Sequence, residues 1–508
     1  MRINLEQGIN RCQLVYDTYH NDWVSLQRVL GFVAEQGFTQ KKSLILTDLN
    51  SSELDTDKLY SELAQLFQNQ QIHQLIGIGP KLLTYADKFL LPETHFFEDI
   101  TGMLASDLLD KQYGTVVIVK GANTCVVGNV IARLQKKCHD TVLEINLGAI
   151  QHNLNFFRSK LATNTQVIAM VKASAYGSGS YGIAHLLQQS RVDCLAVAYA
   201  DEGVTLRENG IHLPIMVMSP SPASFTKLLA HRLEPVIYSF RLLHDWLNFL
   251  NTAHIQLGFH IKLDTGMHRL GFMEQEIDML IQTLQNQSSW SIKSVCSHLA
   301  APGTQRHNAY THAQAKLFQQ MVQRIEVKLG VTLPKHLLNT AGTQLFPEYQ
   351  FDMVRLGIGL YGFTKGIQQY LKVASTLKTI ISQIKEIPIR TTIGYERKGL
   401  AQRPTKIATL AIGYADGFSR SLSNGHGKVW IKGKLAPVIG NVCMDMAMVD
   451  ITDIEANEGD EVIVFGQELP IAQVASAMDT IVYEVLTNVD ERVRKIYYKE
   501  LACPPDFQ

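Results

Sequence analysis

Val167-Ile-Ala-Met-Val-Lys172-Ala-Ser-Ala-Tyr176-Gly-Ser-Gly179 is the stretch on which the reading of this chain turns. An apolar run without polar alternation reads as a strand buried on both faces, as in a parallel sheet. It ends abruptly in a lysine, and small residues then lead to a tyrosine and a Gly-x-Gly turn. A lysine at a strand's carboxyl end directs its amine into the cleft formed by the strand mouths. Partial desolvation there lowers a lysine pKa from its free value of about 10.4, which suits Schiff-base chemistry. Taken alone, the same residue also reads as a strand-end lysine that snorkels to solvent. The neighbouring sequence has to decide between the two.

Working outward, strand-like runs recur with helix-length spacers at 167–172, 194–199, 215–219, 234–238, 258–264, 294–298, 336–340 and 354–361. Eight βα units in about 220 residues fit a closed barrel better than an open sheet. An open doubly wound sheet is the other arrangement, but no Gly-x-Gly-x-x-Gly fingerprint follows the first strand. Lys172, Lys262 with Arg269, His298, Thr340 and Arg355 all fall at or just beyond strand carboxyl ends. That is the face where a barrel enzyme builds its site. His298 alone would read as a hydrogen-bonded structural residue; the convergence of all six at one mouth does not.

Residues 139–375 therefore read as a (β/α)8 domain flanked by two others, in keeping with the length of 508 residues and 46% hydrophobic content. Before it, 1–138 alternates strand-like runs (13–17, 43–47, 74–79, 115–121) with helical patterns (23–36, 57–68, one after 79, and 126–135). Such spacing argues for a small open parallel α/β sheet. After it, 376–508 carries short β runs with turns between them, at 406–413, 427–431, 436–440 and 461–465, and reads as a mainly antiparallel β domain. The polar stretch Leu134-Gln-Lys-Lys-Cys-His-Asp140 marks the first boundary.

Composition excludes several classes of function. Lys+Arg and Asp+Glu are both 47, so the balanced charge gives no support for a nucleic-acid or membrane-surface partner. No apolar run approaches the roughly 18 residues of a membrane span, and Met1-Arg-Ile-Asn-Leu-Glu lacks the apolar core of a signal peptide. The seven cysteines (12, 125, 138, 194, 296, 443 and 503) are scattered and contain no Cys-x-x-Cys, which argues against structural zinc and a disulfide framework. The expectation is a soluble, cytoplasmic, multidomain protein without a metal.

Several motifs carry a more specific likeness. Val171-Lys172-Ala-Ser-Ala-Tyr176-Gly-Ser-Gly179 and Phe259-His-Ile-Lys262-Leu-Asp-Thr-Gly-Met-His-Arg269-Leu-Gly-Phe are followed by Ser297-His298 and Asn339-Thr340-Ala-Gly. Asp352-Met-Val-Arg355-Leu-Gly357-Ile358-Gly-Leu-Tyr-Gly362, Ile412-Gly-Tyr414-Ala-Asp-Gly417, Val442-Cys443-Met444-Asp445 and Thr487-Asn-Val-Asp-Glu-Arg492 complete the series. In this order they resemble the alanine racemase family, in which a pyridoxal-phosphate barrel is followed by a β domain.

The resemblance implies pyridoxal 5′-phosphate as cofactor, anchored on Lys172, with Lys172 and Tyr414 as the two acid/base groups on opposite faces of the substrate. It implies a cofactor shell of Tyr176, His298, Thr340, Arg355, Gly357 and Ile358, and substrate contacts from Arg269, Lys262, Met444 and Asp445. Arg355 would face the pyridine nitrogen, where an always-charged guanidinium donates a hydrogen bond and leaves the ring nitrogen unprotonated. Lys262 is carbamylated in many family members, which would relieve its like-charge pairing with Arg269. The family's tyrosine comes from the partner subunit, implying a homodimer. Where some members have a phosphate-binding tyrosine, this chain has Glu491, whose carboxylate would repel phosphate. The implied activity interconverts L-alanine and D-alanine and supplies D-alanine for peptidoglycan synthesis.

The first segment resembles the C-terminal domain of the Mur ligase that adds D-alanyl-D-alanine. Asp17-Thr-Tyr-His-Asn21-Asp, with Ser25 beyond it, is similar to that family's Asp-Ser-Tyr-Asn-Ala-Asn-Pro, with Trp23 at the proline. Val119-Lys120-Gly121 is similar to its late Lys-Gly-Ser-Arg segment, with Ala122 and Asn123 at the last two positions. No Gly-x-x-x-x-Gly-Lys loop ending in Ser or Thr occurs, so ligation by this chain alone is not expected. The segment reads as a folded, non-catalytic or docking module, or as part of a longer fusion. Three other functional readings stay open: a racemase of serine or broader specificity, a pyridoxal-phosphate-binding protein without turnover, and an assembly module that joins racemase to ligase.

Overall fold

The computed structural model describes residues 2–18, 20–49, 55–121, 124–136, 139–255, 257–287, 290–364 and 366–500, with the side chains of 124–126 left out. Ala122, Asn123 and the boundary residue Cys138 lie outside the described residues. The chain groups into two compact units, one built from Ala149–Ala374 and Val482–Thr487, the other from Met1–Gly148, Ser375–Ile481 and Asn488–Gln508.

The smaller set of segments holds the barrel. Following six strands of the other unit and a seventh, β7 (Val142–Asn146), the barrel strands are β8 (Gln166–Met170), β9 (Cys194–Val197), β10 (Ile215–Val217) and β11 (Glu234–Ile237), then β12 (Phe259–Lys262), β13 (Ile292–Cys296), β14 (Lys335–His336) and β15 (Met353–Leu356). They close as β8 to β15 in chain order, with β15 hydrogen-bonded to β8. Each is parallel to its neighbours. All eight strands expected from the sequence are present. Their apolar runs fill the interior and the helix-facing surface: Ile168, Leu195, Ile215, Ile237, Ile261, Val295 and Val354 are fully buried. The strand expected at 336–340 stops at His336, because Asn339 accepts from the Gly342 N–H at 3.0 Å and starts the helix Thr340–Leu345.

The other unit is a sheet of fourteen strands among the described residues. Its amino-terminal part contains β1 (Arg2–Gln7), β2 (Gln13–Asp17), β3 (Lys42–Thr47), β4 (Ile72–Ile78), β5 (Glu93–Phe97) and β6 (Val116–Lys120). Five of these are parallel, in the spatial order β2-β6-β3-β4-β5. Helix α1 (Trp23–Glu35) starts where the sequence places it, since Asp22 and Ser25 bond each other's backbone N–H in a capping box. Helix α2 covers Thr56–Asn69. At the carboxyl end of β2 and β6, Asp17 and Lys120 form a fully buried ion pair at 2.7 Å.

The structure divides the chain differently from the three-part reading with boundaries at 138 and 375. Strand β1 pairs antiparallel with both β2 and the C-terminal strand Arg494–Glu500, which lies beside β7; β7 in turn pairs with β16 (Ser375–Ile387) of the β domain. The first segment and the β domain thus share one sheet. Sequence alone hid this because β1 buries polar Asn4 and Glu6 beside Ile3 and Leu5, and so shows no apolar run. Glu6 is held there by Gln135 Nε2 at 2.8 Å and Arg494 at 3.7 Å.

Candidate active site at the barrel mouth

Lys172 follows β8 by two residues and opens a short turn, Lys172–Tyr176, of unusual hand. Ala173, Ser174, Ala175 and Tyr176 all have φ between 50° and 56°. Left-handed backbone disfavours L-residues by roughly 1–2 kcal/mol each, and four in succession mark strain stored beside a functional group. The turn is held from outside. Glu202 accepts from the Ala173, Ala198 and Tyr199 N–H groups at 2.5, 2.7 and 3.2 Å, clamping the turn to the next βα loop. Gly177 closes it at φ 78°, where a Cβ would stand 2.2 Å from the Leu486 carbonyl oxygen. Neither Glu202 nor the handedness was legible from the motif string, because both depend on a loop that arrives from elsewhere in the chain.

Beyond the turn lies a cradle of backbone and hydroxyl groups. Thr340 Oγ1 accepts from the Gly357 and Gly359 N–H groups at 3.0 and 3.5 Å. A Cβ on Gly357 would lie 2.5 Å from Tyr176 Oη, so the tyrosine hydroxyl sits directly against that backbone. Ile358, only 6% exposed, has an N–H with no acceptor among the described residues. Tyr176 packs on Tyr361 and Tyr483, with ring centroids 4.9 and 5.8 Å away. Burial pushes its phenol pKa upward. Tyr483 was not singled out from sequence; only its return to the barrel within Val482–Thr487 reveals it.

Arg355, on β15, is buried without a carboxylate partner among the described residues. Its guanidinium donates to the carbonyls of His336, Ser297 and Leu337 at 3.1, 2.6 and 2.8 Å, and to His336 Nδ1. Burial drives the His336 pKa well below the ordinary imidazole value, so the ring stays neutral and can accept. The chain of bonds continues through Ser294 Oγ to His260 Nδ1 at 2.7 Å and on to Glu234 at 3.2 Å. One polar belt thereby fixes Arg355 across five adjacent strands, β11 to β15. His336, Ser294 and His260 escape notice in the sequence, where each is a lone polar residue in an apolar run.

The cations converge on His298. Its pKa is pushed down to about 3 by burial and then by the charges of Arg355, Arg269, Lys262 and Lys172. Lys172 is itself lowered by burial and by Arg269, with Glu202 opposing. Burial also lowers Lys262, with Arg269, Arg355 and Lys172 adding to it against Cys296. Arg269 is carried by the loop after β12, which Asp264 shapes by accepting from the Gly266 and His268 N–H groups at 2.9 and 3.0 Å. Among the described residues no carboxylate forms an ion pair with any of these four cations. A pocket with buried positive charge, an unpaired amide and a hydroxyl cradle fits an anionic ligand that carries a phosphate and a second acidic group.

Tyr414, Met444 and Asp445 belong to the sheet unit, where they form their own cluster. The Tyr414 and Ala415 N–H groups donate to the Cys443 and Met444 carbonyls, each at 3.0 Å. A Cβ on Gly413 would lie 2.2 Å from the Met444 carbonyl oxygen, so only glycine permits this approach. Fully buried Asp416 accepts from the Gly413 N–H at 2.8 Å and Arg492 Nε at 2.6 Å, with His139 Nε2 at 3.3 Å. Arg492 also reaches Asp445 at 2.8 Å. Tyr414 is left 42% exposed at the surface of this unit. Among the described residues there is no group of metal-ligating side chains and no helix long and apolar enough to cross a membrane.

Comparisons with known proteins agree with this geometry. Residues 145–365 match the family model "Alanine racemase, N-terminal domain", and 374–497 match "Alanine racemase, C-terminal domain". Alanine racemase 2 of Caldanaerobacter subterraneus subsp. tengcongensis is 34% identical over 369 residues, 70% of this chain and 94% of that protein. Among solved structures, alanine racemase of Clostridium difficile 630 superposes with a TM-score of 0.67 at 33% identity, covering 72% of this chain and 97% of that one. The alanine racemase of Bartonella henselae, solved with covalently bound pyridoxal phosphate, gives 0.65 at 29% identity over 71% of this chain and all (100%) of that one. With both family domains present in order, the chain belongs to the alanine racemase family.

Proposed function

We propose that this chain interconverts L-alanine and D-alanine by a two-base mechanism, with pyridoxal 5′-phosphate held at the barrel mouth. The observation that carries this is the meeting of Lys172, Lys262, Arg269 and Arg355 around His298 with no carboxylate paired to them among the described residues. Tyr176, Thr340 and the backbone of Gly357 and Ile358 would hold the phosphate, His298 would pack on the ring, and Arg355 would donate to the ring nitrogen. When bound, the cofactor supplies an electron sink that acidifies the substrate's Cα–H bond.

The chain's own groups do the rest. Arg269 binds the substrate carboxylate, helped by Lys262 once carbamylation has removed the positive charge of its amine. Lys172 Nζ, with its pKa lowered by burial, takes the α-proton of the D-enantiomer as a neutral amine. The Tyr414 hydroxyl delivers a proton to the opposite face, and the roles reverse for the L-enantiomer. Asp416, gripped by Arg492 and His139, fixes the turn that carries Tyr414. Met444 and Asp445 line the substrate side of that turn. Tyr414 comes from the second subunit of a homodimer in this reading. Tyr483, its ring tilted against that of Tyr176 at 5.8 Å, supplies an aromatic wall beside the phosphate cradle.

The product would supply D-alanine for peptidoglycan synthesis in the cytoplasm. The first segment, similar to a Mur ligase C-terminal domain but without a phosphate loop, would serve as a docking module. The test is direct. Purified protein should absorb at the edge of the visible range and convert L-alanine to D-alanine, and Lys172→Ala should abolish both. Tyr414→Phe should slow α-proton exchange from L-alanine more than from D-alanine; equal losses would contradict the two-base assignment. A colourless wild-type protein without racemisation would overturn the whole reading.

A further inference from the structure

A second cavity, remote in sequence from every residue of the proposed mechanism, lies in the amino-terminal part of the sheet unit. It is lined by Lys41, Lys42, His73, Lys111, Tyr113 and Glu93 around a floor of Ser43, Gln74, Gln112 and Thr115, and encloses about 340 Å³. That lies at the lower end of the roughly 300–1,000 Å³ typical of small-molecule sites. Lys42, Gln74, Glu93 and Thr115 stand at or next to the amino ends of β3, β4, β5 and β6, four neighbouring parallel strands.

Ligands of open α/β sheets usually sit at the opposite, carboxyl edge. Here the charged groups described at that edge are already engaged, and Asn21, which donates to Thr47 and Asp48, is left with a buried Oδ1 that has no partner among the described residues. Lys120 is paired with Asp17, and Asp48 accepts from the Lys81 and Leu82 N–H groups at 3.0 and 2.8 Å. At the amino edge the floor is likewise closed upon itself. Ser43 Oγ and Gln112 Nε2 both donate to Gln74 Oε1 at 2.6 and 2.7 Å, Gln74 Nε2 donates to Glu93 at 2.6 Å, and Thr115 donates to Gln112 Oε1 at 3.1 Å. Such a network holds Ser43, Gln74 and Gln112 rigid and buried.

The lysines are what the cavity leaves to offer. Lys42 spends one proton on the Gln70 carbonyl at 2.9 Å, and burial lowers its pKa with no compensating carboxylate. Lys41 has no ion-pair partner among the described residues. Among the described residues Lys111 forms an ion pair with Asp107 alone, and that pair is about two-thirds exposed and therefore weak. The one lining carboxylate, Glu93, is already engaged by His95 and Gln74. Three ammonium groups face two carboxylates that are both engaged, Glu93 by His95 and Gln74 and exposed Asp107 by Lys111, and this cationic rim on a rigid polar floor selects for negative charge. We propose that this cavity binds a small organic anion through carboxylate or phosphate groups held by Lys41, Lys42 and Lys111.

The test uses the enzyme loaded with pyridoxal phosphate, so that the barrel mouth is filled. Calorimetric titrations with inorganic phosphate and with succinate distinguish the two acidic groups. The expected result is saturable binding of one probe per chain, weakened roughly tenfold or more in Lys41→Gln/Lys42→Gln, with racemisation unchanged. Lys316→Gln, on an exposed barrel helix, should bind as the wild type does. The exposed single variant Lys41→Gln serves if the double variant melts at a lower temperature. No saturable binding of either probe, or equal affinity in the wild type and the Lys41 variants, would overturn the proposal. Neither outcome touches the racemase reading, which rests on the barrel and on the segments around Tyr414, Met444 and Arg492, and on none of the residues that line this cavity.

Discussion

The left-handed turn after Lys172 makes an unusual prediction at Ser174. Glycine in place of another residue ordinarily destabilises a fold, since it adds freedom to the unfolded chain worth about 0.4–1 kcal/mol. Ser174 has φ 50°, is exposed, and its side chain makes no hydrogen bond among the described residues, so its replacement forfeits no contact. Relief of the left-handed backbone is worth roughly 1–2 kcal/mol. The balance favours Ser174→Gly by about 0.5–1 kcal/mol. Ser174→Val should move the other way by about 1 kcal/mol or more, since a β-branched residue at positive φ is a genuine outlier. Urea unfolding of the cofactor-loaded enzyme, followed by circular dichroism, reads both variants. The glycine variant should also racemise more slowly, because the Lys172 amine is then less firmly directed. Lower stability in Ser174→Gly, or a valine variant as stable as the wild type, would refute the claim that the turn is strained and that Glu202 and Gly177 hold it against that strain.

The same site supports further expectations. Thr340→Val removes the acceptor for the Gly357 and Gly359 N–H groups, and should weaken pyridoxal phosphate binding about tenfold, read by fluorescence titration of the cofactor. Gly177→Ala would drive a Cβ into the Leu486 carbonyl at a φ of 78°; a loss of about 2–4 kcal/mol in denaturant unfolding is expected. In cofactor-free protein, His298 titrates near 3 when folded against 6.5 unfolded. The unfolded chain therefore binds the extra proton between those values, and stability is full above pH 6.5 and falls as pH drops toward 3. The contribution lost by pH 5 is about 2 kcal/mol, and His298→Asn should flatten that part of the profile.

Much of the barrel was open to reading because its signals are local. A strand buried on both faces must be apolar along its length, so eight such runs at helical spacing state the topology before any contact is known. The positions of Lys172 just past β8 and Lys262 at the end of β12 follow from the same periodicity, whereas Thr340 opens a helix and Arg355 lies within β15. The division of the chain was less legible. Strand β1 carries Asn4 and Glu6 inward, and these are tolerated only because Gln135 and Arg494 reach Glu6 from distant segments. No window of neighbouring residues contains that information.

What the sequence determined by itself is the set of chemical groups and the barrel that gathers six of them: an amine on a parallel strand's end, cations at its mouth, and a tyrosine on a separate β segment. The tertiary structure alone decided how those groups are tuned and held. Glu202 and Leu486 enforce a backbone that L-residues avoid, and the belt from Arg355 through His336, Ser294 and His260 to Glu234 ties five strands together. The lowered pKa of Lys172 depends on burial and on Arg269, nearly a hundred residues away in the chain. Composition and periodicity are properties of neighbours along the chain, whereas strain, desolvation and charge coupling are properties of neighbours in space.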